Sequence, residues 1–134
     1  MSTESVGWAP SNPWFKKGFS KGITVNLDGI IIKVLPLPYF LATKMEAFFN
    51  RGIKDVYASH DLEDIVYLFN YTSDIDAQVL ASNKVLLEYL SEKLLGITEN
   101  RNILTAIRGS LYYEQADERM EIIKGRFQNI INGI

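Results

Sequence analysis

The sequence contains no cysteine and only one histidine, His60. The absence of cysteine excludes disulfides, a thiolate nucleophile and cysteine-ligated zinc. A single histidine cannot form a histidine-rich metal site, and we expect no hydrolytic triad. We therefore interpret His60 as a solvent-facing residue in the first turn of a helix.

Long apolar runs and an excess of one charge are also absent. The longest apolar stretches, such as 30–32 and 48–49, are far shorter than the roughly 20 residues of a membrane span. Residues 1–8 have neither the basic start nor the apolar run of a secretory signal, so we expect a cytoplasmic protein with no membrane partner. Fourteen basic and sixteen acidic residues give a net charge of −2, which makes nucleic acid an unexpected partner.

The 134 residues fit a single domain, 1–134, made of three parts. Residues 1–22 form an aromatic segment with a short helix, capped by Ser11 or Asn12. Residues 23–35 are rich in β-branched side chains around Asp28-Gly29, the pattern of a β-hairpin. Residues 38–134 have helical periodicity. The predicted fold class is α+β: a short β-hairpin followed by a bundle of about four to five helices.

The helical periodicity divides the third part into segments. Ser59 is a good N-cap residue, and we expect a helix from there to about Phe69. The other predicted helices span residues 38–50, 75–95, 98–107 and 114–132.

Two patterns resemble ligand sites but have simpler explanations. The spacing of Gly18, Gly22 and Gly29 does not fit a phosphate-binding loop. The pair Asp74 and Asp76 could hold metal ions if it lay on a strand. It comes at the apparent start of a helix, where aspartates cap the chain and complement the helix dipole. We therefore predict no metal site.

A more informative group of charges lies in residues 36–65. Lys44 and Arg51 belong to one predicted helix, and Asp61 and Asp64 lie three residues apart on the next. Basic side chains in a cleft could bind phosphate while aspartates orient them. Spacing alone favours the alternative, a solvated helix surface with ordinary ion pairs.

Residues 36–48 (Pro-Leu-Pro-Tyr-Phe-Leu-Ala-Thr-Lys-Met-Glu-Ala-Phe), then Arg51-Gly52 and residues 59–65 (Ser-His-Asp-Leu-Glu-Asp-Ile), form an ordered set of motifs. This set resembles the C-terminal half of prokaryotic nucleotidyltransferases of the AbiEii abortive-infection toxin type. The resemblance covers residues 8–68. The family's lysine with an alanine three positions later corresponds to Lys44 and Ala47, and its Asp-x-x-Asp pair to Asp61 and Asp64.

The resemblance implies transfer of a nucleotidyl group from a nucleoside triphosphate, with two metal ions held by strand aspartates behind a Gly-Ser turn. The one Gly-Ser pair here, Gly109-Ser110, follows Asp74 and Asp76, which reverses the family order. The half that carries the metal ligands would precede Met1. The resemblance therefore implies a truncated or degenerate nucleotidyltransferase with no catalytic residue.

In this interpretation Lys44 and Arg51 bind substrate, and Asp61 and Asp64 support the site. No cofactor is bound tightly, and Mg²⁺ and nucleoside triphosphate are expected only if the missing half is supplied. The alternative function is a non-catalytic protein–protein interaction module, as a toxin–antitoxin or self-association partner. Two partners remain open: a nucleoside triphosphate, and a second copy that pairs through the strand at residues 30–35.

Overall fold

A computed structural model describes residues 12–133, and most of them are helical. This part of the chain contains seven α-helices: α1 (Pro13–Ser20), α2 (Leu37–Arg51), α3 (His60–Tyr71), α4 (Ile75–Leu80), α5 (Lys84–Thr98), α6 (Arg101–Gly109) and α7 (Ala116–Asn132). Strands β1 (Ile23–Leu27) and β2 (Ile30–Val34) lie between α1 and α2. The 3₁₀ segments Gly52–Ala58 and Tyr113–Gln115 precede α3 and α7.

The α+β fold class expected from the sequence is wrong, because the structure is an all-helical fold. β1 and β2 pair antiparallel with each other, and no third strand joins them in the described residues. Two five-residue strands do not form a layer on which a core could be built. The β-branched residues at 23–35 favour extended backbone locally, but the helices supply the packing that decides fold class. The expected number of four to five helices after the hairpin is also too low, because six α-helices follow β2 in the described residues.

The strands expose some of their apolar residues. Ile30 is 65% exposed and Val34 is 46% exposed. The side chain of Ile32, also expected at the open face, lies outside what the structure describes. Trp8, expected to pack in the N-terminal aromatic segment, lies outside it as well.

Two helix starts confirm the capping residues expected from the sequence. The side chain of Asn12 accepts hydrogen bonds from the backbone N–H groups of Trp14 and Phe15, at 3.0 and 3.2 Å. Asn12 thus caps α1, with Pro13 as the first helical residue. The hydroxyl of Ser59 accepts from the N–H of Leu62 at 3.1 Å and caps α3.

The single helix expected over residues 75–95 is wrong, since the chain forms α4 and α5 instead. Asn83 begins α5 by accepting a 2.9 Å hydrogen bond from the N–H of Leu86. The hydroxyl of Ser82 donates to the carbonyl oxygen of Val79 at the end of α4. These two polar side chains satisfy backbone groups that a continuous helix would have paired internally.

Helix α2 lies at the centre of the fold and packs against α1, α3 and α5. Its residues Leu41, Met45 and Phe48 are completely buried. Helix α7 completes the core by packing against α3, α4 and α5, where its Phe127 meets Phe69 at a ring-centroid distance of 4.6 Å. None of the described helices is long and apolar enough to cross a membrane.

Candidate functional site

The charged residues expected to form a site come together between α2 and α3. Lys44 and Arg51 lie seven residues apart on α2, which is about two helical turns and places them on one face. Asp61 and Asp64 lie three apart on α3 and also share a face. Because the two helices pack side by side, the two faces meet. We call these four residues the charge cluster.

Asp61 is the buried centre of the charge cluster, with a side chain that is only 5% exposed. Its Oδ2 accepts a 3.0 Å hydrogen bond from Nε of Arg51, and its Oδ1 lies 3.4 Å from Nη2. Nζ of Lys44 lies 3.7 Å from Oδ1 of the same carboxylate. Two cations therefore compensate the burial of this negative charge.

Asp64 binds Lys44 at the outer side of the charge cluster. Its Oδ2 lies 2.8 Å from Nζ of Lys44, the shortest ion-pair distance within the cluster. The Asp64 side chain is 49% exposed, whereas that of Lys44 is 18% exposed. The ammonium group of Lys44 also lies 5.6 Å from the centroid of the Phe40 ring, within the range of a cation–π contact.

The charge cluster contains two positive and two negative side chains, so its formal charge is zero. A phosphate group can approach Lys44 only in competition with the carboxylate of Asp64. Because Asp64 is half-exposed, water can solvate its carboxylate once it leaves the lysine. An anion bound here would therefore have to displace Asp64 from Lys44, and its net gain in electrostatic energy would be small.

Asp74 and Asp76 lie at the start of α4 and not on a strand. The predicted capping role fails for Asp74, whose side chain makes no cap hydrogen bond but accepts from Nε2 of Gln78 at 3.0 Å. Asp76 accepts from Nδ2 of Asn129 on α7 at 2.8 Å, and this hydrogen bond is the main cause that lowers the pKa of its carboxyl. Within residues 12–133, no group of three or more acidic or histidine side chains could hold a metal ion.

His60 has a side chain that is 91% exposed, which confirms its interpretation as a solvent-facing residue. Its Nδ1 lies 3.2 Å from Oε2 of Glu63.

Residues 18–22 have the Gly-x-Ser-x-Gly sequence of a nucleophile elbow, although no hydrolytic triad was expected. A nucleophile elbow joins a strand to a following helix, whereas Ser20 ends α1 before a strand and donates its hydroxyl to the carbonyl oxygen of Lys17.

A polar contact between α2 and α5 was missed by sequence reasoning. Glu46, two residues after Lys44, accepts a hydrogen bond from the hydroxyl of Tyr89 on α5 at 2.6 Å. Glu46 and Tyr89 are 43 positions apart, and nothing in the sequence indicated this pair.

Comparison of the chain with protein-family models, with curated proteins and with solved structures found no match.

Proposed function

We propose that this protein is a degenerate nucleotidyltransferase-like module that binds nucleoside triphosphate weakly through Lys44 and has no catalytic residue of its own. The observation that supports the proposal is the charge cluster itself. The four residues to which the family resemblance points lie on two consecutive helices, and three ion pairs link them: Lys44–Asp61, Lys44–Asp64 and Arg51–Asp61.

In the proposed binding mode, a phosphate oxygen of the nucleotide replaces the carboxylate of Asp64 at the ammonium group of Lys44. Asp61 stays in place, because it is buried and also bound to Arg51. Its contact with Lys44 orients the lysine stem toward the position vacated by Asp64. Asp61 is therefore a positioning residue, and Lys44 is the binding residue.

The expected affinity is low. Two carboxylates offset the two cations of the charge cluster, so a triphosphate gains only the difference between its own attraction to Lys44 and that of Asp64. Such a small net gain corresponds to dissociation constants of about a millimolar.

The test is a titration of ATP into ¹⁵N-labelled protein, followed by amide chemical-shift changes in α2 and α3. Lys44→Met keeps the apolar stem and removes the charge, so it should weaken binding by about tenfold or more. Asp64→Asn removes the competing charge and should tighten binding severalfold. Opposite effects of these two variants separate nucleotide binding from a purely structural ion-pair network, which both variants would weaken.

Lys84→Met serves as the matched control, since Lys84 on α5 has a side chain that is 88% exposed and lies 3.9 Å from Oε1 of Glu88. It should leave ATP binding unchanged. Equal shift changes in the wild type and in Lys44→Met would overturn the proposal.

A further inference from the structure

A groove runs along the side of α3 that faces α6. Two adjacent cavities of about 260 and 420 Å³ form it, and they share Glu63, Val66 and Ser110. The α3 wall consists of residues spaced three and four apart, as expected for one face of a helix. This wall comprises Ser59, Leu62, Glu63, Val66, Tyr67, Asn70 and Tyr71.

Small residues form part of the opposite wall, next to Leu111 and Tyr112. Ala106, Gly109 and Ser110 lie there, at the C-terminal end of α6. A Cβ atom added to Gly109 would meet no atom within 4 Å. The space is therefore set by side chains that are too short to reach α3.

Four of the protein's seven tyrosines line this groove. Each has more than half of its surface exposed: 66% for Tyr57, 64% for Tyr67, 60% for Tyr71 and 75% for Tyr112. The rings of Tyr67 and Tyr71 contact each other, with centroids 4.9 Å apart. Exposed tyrosines around a groove are typical of protein-binding surfaces, because the ring gives a large contact area and the hydroxyl stays hydrogen-bonded.

The residues that line the groove carry one formal charge, and it is negative. Of the described residues that line its two cavities, Glu63 alone is charged, and its side chain is 59% exposed. The C-terminal end of α6 adds the partial negative charge of its last carbonyl groups. Arg119 and Arg126 on α7 both donate to Asn70 at the edge of the groove, and Arg126 also donates to the carbonyl oxygen of Phe69, but neither arginine lines the cavities.

We propose that the groove docks an extended segment of a partner protein that inserts an arginine side chain between apolar neighbours. A guanidinium group can stack on a tyrosine ring while it pairs with a carboxylate, and this groove offers both next to each other. The apolar neighbours of the arginine would pack on Val66 and Leu111, which also line it. This inference does not depend on nucleotide binding by the charge cluster.

The experiment uses two capped tripeptides that differ only in charge, Leu-Arg-Leu and Leu-citrulline-Leu. Each is titrated into ¹⁵N-labelled full-length protein, and amide shifts report where and how tightly it binds. The arginine peptide should shift residues of α3 and α6 and bind about fivefold more tightly than the citrulline peptide. Equal affinities, or shifts confined to other helices, would overturn the proposal.

Two variants test whether the peptide binds at Glu63 and next to Gly109. Glu63→Gln should reduce the affinity for the arginine peptide to that for the citrulline peptide. Gly109→Phe should fill the first cavity, beside Glu63 and Val66, and abolish binding of both peptides. Gly125→Phe is its matched control, because Gly125 is also an exposed helical glycine with no atom within 4 Å of an added Cβ. Retention of arginine-peptide binding in Gly109→Phe, with an unchanged helical circular dichroism signal, would refute the assignment.

Discussion

The hydroxyl of Tyr89 on α5 donates a 2.6 Å hydrogen bond to Oε1 of Glu46 on α2. The other carboxylate oxygen of Glu46 accepts from Nδ2 of Asn50 at 3.0 Å. The Tyr89 ring also contacts Trp14 of α1, with ring centroids 4.7 Å apart. This one tyrosine therefore connects three helices.

The Tyr89–Glu46 pair predicts a loss of stability at alkaline pH. Burial, followed by the contact with Glu46, raises the pKa of the Tyr89 hydroxyl well above its ordinary value of 10.0. The stabilisation that comes from the neutral hydroxyl is thus complete below about pH 10 and is lost as the pH rises further. Urea denaturation at pH 8 to 11 should show a steeper loss of stability in the wild type than in Tyr89→Phe.

At neutral pH, Tyr89→Phe should cost about 1.5 to 3 kcal/mol, because it removes a hydrogen bond to a charged acceptor. Tyr113→Phe is the matched control, since Tyr113 is 95% exposed. The free energy of unfolding of Tyr113→Phe should match that of the wild type at every pH. If Tyr89→Phe and the wild type lose stability in parallel above pH 10, the hydroxyl does not contribute in the way described.

The two aspartates of the charge cluster should differ in their effect on stability. Asp61→Asn should lower the free energy of unfolding by about 2 kcal/mol, because it removes the buried charge that Lys44 and Arg51 compensate. Asp64→Asn should cost less than about 0.5 kcal/mol, because that carboxylate is half-exposed. Urea denaturation of both variants measures the difference, and equal costs would contradict the assignment of Asp61 as the structural centre.

The charge cluster could be predicted from the sequence because its geometry is local to each helix. The spacings of Lys44 to Arg51 and of Asp61 to Asp64 fix one face on each of two consecutive helices. The short connection between those helices makes them neighbours. The N-caps Asn12 and Ser59 were predictable for the same reason, since a cap involves residues only two or three positions apart.

The fold class and the tyrosine-lined groove depend on longer-range packing, which the sequence pattern does not show. Residues 23–35 have strand propensity, but the number of strands that pair is decided by the rest of the chain. The groove lies between Tyr67 and Tyr71 on α3 and residues 110–112, which follow α6. About 40 residues of chain separate the two walls, and no periodicity joins them.

Two glycines should respond to alanine substitution in opposite directions. Gly52 follows α2, where an added Cβ would collide with the hydroxyl oxygen of Ser59 and lie 2.7 Å from Cδ1 of Phe48. Gly52→Ala should therefore destabilise the protein by about 1 to 3 kcal/mol. Gly125 is exposed within α7 and has open space around it, so Gly125→Ala should stabilise by about 0.5 to 1 kcal/mol. Thermal unfolding should show melting temperatures that move in opposite directions, and a shared sign would count against this account.

Two arginines of α7 bind the C-terminal end of α3. Arg126 donates from Nη1 to the carbonyl oxygen of Phe69 at 2.6 Å and to that of Asn70 at 3.2 Å. Arg119 donates from Nε to the side-chain oxygen of Asn70 at 2.6 Å and from Nη2 to its carbonyl oxygen. These carbonyls belong to the last turn of α3, where intrahelical donors are lacking. The arginines therefore hold α3 against α7 by satisfying groups that would otherwise be left unpaired.

Arg119→Met and Arg126→Met keep most of the apolar stem of each side chain, so the stability that each variant loses measures the lost hydrogen bonds. Each should lower the free energy of unfolding by about 1 to 2 kcal/mol. The double variant should differ from the sum of the two, because both arginines share the carbonyl oxygen of Asn70. Arg108→Met is the matched control, since Arg108 pairs with the exposed carboxylate of Asp117 and should cost less than about 0.5 kcal/mol. Strict additivity, or single costs no larger than that of Arg108→Met, would mean that the two arginines do not act on α3 as a unit.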